Sequence, residues 1–62
     1  MNTEKLRAAY AAATIAHENA ARAAYRADVS GSRTVGLARL RERRAWRKAC
    51  DARAAYEAAK VA

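Results

Sequence analysis

The sequence predicts an all-α protein, an antiparallel two-helix hairpin that forms one domain over residues 1–62. Three observations carry this. About a third of the chain is Ala, Arg is the commonest charged residue, and Pro is absent, so helix formers dominate and nothing breaks them. An apolar stripe steps by three and four through both halves. Ser30-Gly31-Ser32 is the one turn signal, and it lies at the middle of the chain.

Helix 1 is expected over about 3–28. Asn2 or Thr3 can cap it, and Glu4 places a negative charge in the first turn, where it suits the helix dipole. Its stripe reads Leu6, Ala9, Ala13, Ala16, Ala20, Ala23 and Ala27. The turn covers about 29–34, with Gly31 free to take the left-handed conformation that ends a helix and Ser32 or Thr34 available to cap the next. Helix 2 is expected over about 35–61, with the stripe Val35, Ala38, Glu42, Ala45, Ala49, Ala52, Tyr56 and Ala59. Eleven of these fifteen positions are Ala, which lets two helices approach more closely than a Leu seam would. Folding back at the turn sets Ala13 opposite Ala49 and brings His17 near Glu42, the one polar break in the stripe. A polar pair there would fix the register of the seam.

A seam of methyl groups is a thin core. Each buried methyl contributes only ~0.8 kcal/mol, and the large apolar content is limited to Met1, Leu6, Ile15, Val29, Val35, Leu37, Leu40 and Val61, apart from the aromatics. A lone hairpin is therefore marginal, and a homodimer forming a four-helix bundle is the expected remedy.

Several function classes are excluded at this stage. The chain has one Cys and one His, so neither an internal disulfide nor a zinc site of the usual spacing is expected, and no metal or other cofactor. No paired carboxylates, Ser–His–Asp set or Gly-rich phosphate loop is present, and so small a chain has little room for a substrate pocket. No enzymatic activity and no small-molecule substrate are expected. The apolar runs fall far short of the ~20 residues that cross a bilayer, and the acid-bearing start, Met-Asn-Thr-Glu-Lys, is unlike a signal peptide. No membrane association is expected, and a cytoplasmic location fits the single thiol.

Charge is the functional signal. The formal net charge is +7; residues 1–32 hold four basic and three acidic side chains, whereas residues 33–62 hold nine and three. Arg39, Arg43, Arg44, Arg47 and Lys48 fall away from or beside the stripe and are the candidate contacts for nucleic acid or for an acidic partner. Guanidinium groups bind phosphates and guanine edges in bidentate fashion, and Arg-rich helices with an interleaved aromatic suit RNA better than DNA. The interleaved aromatic is Trp46, which either covers the edge of a dimer core, stacks on a base, or anchors a protein. Ala8, Ala12 and Ile15 form a second apolar strip on helix 1 and, with Trp46, a candidate surface for a protein partner.

The run Arg41-Glu-Arg-Arg-Ala-Trp-Arg-Lys48 resembles the arginine-rich RNA-binding helix of the lentiviral Rev proteins, which also belongs to a helical hairpin. The likeness covers eight residues, with Glu42 and Ala45 departing from the arginine-rich pattern, and it implies RNA as the ligand. In architecture a dimer of such hairpins is similar to the four-helix bundle of the RNA-binding Rop regulators, without a shared motif. Two functions are thus expected in order: a non-enzymatic regulator that binds nucleic acid, or a small phage-type inhibitor or adaptor that docks a helix face onto a host protein.

Overall fold

The computed structural model describes residues 2–61. Met1, counted above among the large apolar residues, lies outside them. The chain forms two long helices, α1 (Thr3–Val29) and α2 (Val35–Val61), which pack against each other in a rod of 47 × 13 × 11 Å. Both ends of α1 are closed by side chain and backbone geometry set by the local sequence. The Asn2 side-chain oxygen accepts from the Lys5 amide at 3.0 Å, and the Asn2 carbonyl accepts from Leu6 at 3.2 Å. At the other end Gly31 takes φ 68°. Its amide donates to the Asp28 carbonyl at 3.1 Å, while the Ser32 amide donates to the Ala27 carbonyl at 2.9 Å. This pair of bonds is the Schellman arrangement, which needs a residue with positive φ and so favours glycine. The Ser32 hydroxyl then accepts from the Thr34 amide at 3.1 Å, and the Thr34 carbonyl accepts the first bond of α2, from Ala38, at 2.9 Å.

The half-buried face of α2 runs Val35, Ala38, Glu42, Ala45, Ala49, Ala52, Tyr56 and Ala59, a step of three and four throughout. On α1 the inward face is displaced from the expected stripe. Leu6, Ala13, Ala20 and Ala27 face inward, but Ala9, Ala16 and Ala23 are exposed in the hairpin, and Tyr10, His17 and Ala24 take their turns. The reason lies in what each choice buries. A rotation of α1 exchanges methyl groups for two rings, and each ring gains a partner across the interface. Tyr10 stacks on Tyr56 with centroids 6.2 Å apart and planes at 30°, and Lys60 lies 5.1 Å above the Tyr56 ring. His17 Nε2 lies 3.8 Å from Glu42 Oε2. Two aromatic rings and one polar pair thus anchor a contact that, apart from Leu6 and Val35, is mostly methyl on methyl.

The resulting core is small. Only Ala13 (8% exposed) and Ala24 (5%) are buried among the described residues, and no large side chain is fully covered. Ile15, Tyr25, Val29, Leu37, Leu40, Trp46 and Val61 are all exposed.

Candidate nucleic-acid interface

The basic side chains of α2 all reach solvent, but they differ in what they touch. Arg39 is engaged: its guanidinium lies 3.1 Å from the Asp28 carboxylate at the end of α1. Arg7, Arg22 and Lys60 are likewise held by Glu4, Glu18 and Glu57 on their own helices. Arg43, Arg44, Arg47 and Lys48 form no ion pair among the described residues, and all four are exposed. With Leu40 and Asp51 they border a shallow groove on the outer side of α2. Helical spacing explains the grouping. Arg43 and Arg47, and likewise Arg44 and Lys48, are four residues apart, so each pair is separated by about 6 Å along the axis. The four cations form a compact field with one carboxylate, Asp51, at its edge.

Three further grooves run between the helices. Ala12 and Thr14 lie about 100° to either side of the buried Ala13, so the grooves they border lie on opposite flanks of the hairpin. The first is lined by Ala9, Ala12, Ala13, Ala16, Ala45 and Lys48 and is almost wholly apolar. The second flank is aromatic and basic. Trp46, 57% exposed, borders both a groove with His17, Arg39, Glu42 and Arg43 and an adjoining one with Tyr10, Thr14, Ala49, Cys50 and Arg53. The Thr14 hydroxyl donates to the Tyr10 carbonyl of its own helix at 2.9 Å, which leaves it turned to the backbone.

The strip expected as a protein-binding surface is divided by this geometry. Ala8, Ala12, Ile15 and Trp46 are all exposed, but Ala12 belongs to the apolar groove and Trp46 to the opposite flank, while Ala8 and Ile15 border neither. Two participants were not marked by the sequence reading. Arg53 stands seven residues from Trp46, a spacing that puts both on one helix face. The Asp28–Arg39 pair spans the turn, and only the hairpin geometry brings it together.

Among the described residues no three of His, Cys, Asp and Glu converge as metal ligands, and no helix is long and apolar enough to cross a membrane. No protein-family model matches the chain, and comparisons with curated proteins and with solved structures give no match.

Proposed function

We propose that this chain is a small non-enzymatic regulator that binds nucleic acid, RNA in preference to DNA, through the basic face of α2. The observation that carries the reading is the group Arg43, Arg44, Arg47 and Lys48: four exposed cations with no ion pair, beside other cations that have one. Phosphates release counterions when such groups meet them, so an unpaired cationic field gains more from nucleic acid than from water. Arg39 plays a secondary part, because Asp28 competes for its guanidinium. The interleaved Trp46 favours RNA, whose unstacked bases pair well with aromatic and guanidinium planes.

The acting species is a homodimer. The chain exposes 4922 Å², whereas a compact 6.7 kDa protein exposes roughly 3,900 Å². The excess of about 1,000 Å² is comparable to the ~800 Å² each partner contributes to a standard interface. A four-helix bundle would remove such a surplus and cover part of the exposed apolar set. A cytoplasmic setting suits the exposed free thiol of Cys50.

Charge reversal tests the reading. The triple substitution Arg43→Glu, Arg44→Glu and Arg47→Glu is expected to abolish RNA binding in an anisotropy assay while far-UV circular dichroism stays helical, because all three side chains face solvent. Absence of any binding by the nuclease-treated wild type to mixed RNA or DNA at low ionic strength would refute it. The second reading, an inhibitor or adaptor of phage type that docks onto a host protein, is favoured by the exposure of Ile15, Leu37 and Leu40. Specific capture of one protein that survives nuclease treatment and is lost on Ile15→Asp or Leu40→Asp would support it.

A further inference from the structure

Trp46 is the single Trp of the chain, and more than half of it is left in water by a fold with almost no core. The contacts around it are unlike those of a residue placed only to fill volume. It forms the wall between two adjoining shallow grooves on one flank of the hairpin. One is rimmed by Arg39 and Arg43, the other by Arg53. Arg43 precedes it by three residues and Arg53 follows it by seven, so both guanidinium groups share its side of α2. Of the three rings in these grooves, Tyr10 is stacked on Tyr56 and His17 is paired with Glu42, which leaves Trp46 with a ring free for another partner. Arg43 and Arg53 form no ion pair among the described residues.

We infer that this flank binds an unpaired nucleotide, with the base stacked on the Trp46 indole and the adjacent phosphates held by Arg43 and Arg53. The ligand class is therefore single-stranded nucleic acid, or a looped-out base, in place of an intact duplex. A base within a duplex has both faces covered by its neighbours, so it cannot offer one to an indole, whereas a single strand offers a face at every residue. Anionic phosphate matches the sign of the rim, and Glu42, the acid of this flank, is turned to His17 at 3.8 Å. The inference rests on the nucleic-acid reading above and adds a second contact region beside the outward face of Arg44, Arg47 and Lys48.

Because Trp46 is the only indole, its fluorescence reports stacking directly. The full chain is titrated with a short oligouridylate and, separately, with an RNA duplex of equal length at matched ionic strength. Quenching of Trp46 by the oligouridylate and not by the duplex is expected. Trp46→Leu should weaken oligouridylate binding roughly ten-fold or more, since one stacked base commonly contributes that much. The dependence of affinity on salt should be unchanged, and Trp46→Tyr should recover most of the loss. Equal, salt-dependent binding of both ligands without quenching would overturn the stacking site and leave the phosphate-binding face standing. A Trp46→Leu variant that loses helicity or mass in sizing and weakens both ligands alike would also overturn it, by making Trp46 part of the core. Failure of the wild type to bind either ligand at low salt would remove the nucleic-acid reading itself, and this site with it.

Discussion

Ala23 and Ala24 are neighbours in sequence, yet replacing each with Leu should have very unequal consequences. Ala24 is 5% exposed at the contact between α1 and α2, whereas Ala23 faces solvent. Ala24→Leu puts an isobutyl group where a nearly buried methyl now sits between the two helices. Overpacking of this kind costs ~1–3 kcal/mol. Against a total stability of ~3–9 kcal/mol for a chain of 62 residues, that is a large fraction. At roughly 4–8 °C per kcal/mol for a small domain, the midpoint of thermal unfolding should fall by at least ~4 °C. Ala23→Leu should change stability by no more than ~0.5 kcal/mol, as exposed substitutions usually do. Melting followed by circular dichroism at low protein concentration separates the two variants. A larger loss at Ala23 than at Ala24 would mean that α1 packs in the unrotated phase, and the account of the core would be wrong.

Four other outcomes follow from the same geometry. Gly31→Ala should lower the urea midpoint, costing ~1–2 kcal/mol because an L-residue resists φ 68° although a Cβ there meets nothing. Gly36→Ala should raise it by ~0.5–1 kcal/mol, since that position is helical and equally open. Light scattering behind a sizing column should give the mass of at least two 6.7 kDa chains at micromolar concentration, with a melting midpoint that rises with concentration. Tyr56→Ala should destabilise the open end of the hairpin by at least ~1 kcal/mol, measured by chemical unfolding, because it removes both the stack on Tyr10 and the ring beneath Lys60.

The two helices and the turn could be read from local chemistry. Asn2, Gly31 and the Ser32–Thr34 pair act on neighbours within a few residues, so their roles do not depend on the rest of the fold. The phase of α1 could not. Ala occupies so many positions there that a step of three then four, and one of four then three, both find methyl groups. What decides between them is the partner each ring meets across the hairpin: Tyr56 for Tyr10, and Glu42 for His17. The first of those contacts is invisible to a reading of one helix at a time, and the second could be seen only by folding the two stripes together. The same limit applies to the basic face. Exposure of Arg43, Arg44 and Arg47 follows from their angle on α2, but the ion pair that engages Arg39 requires Asp28 to be brought over the turn.

The central claim is that the unpaired cations of α2 meet phosphates, and the salt dependence of RNA binding measures it most directly. Each phosphate neutralised on a single strand contributes about 0.7 to the slope of log K against log salt, so contacts from Arg43, Arg44, Arg47 and Lys48 predict a slope of about −3 per chain. Replacing Lys48 or Arg44 with Ala should flatten it by about one phosphate's share. A wild-type affinity that does not change with salt, or no binding at low ionic strength, would contradict the claim.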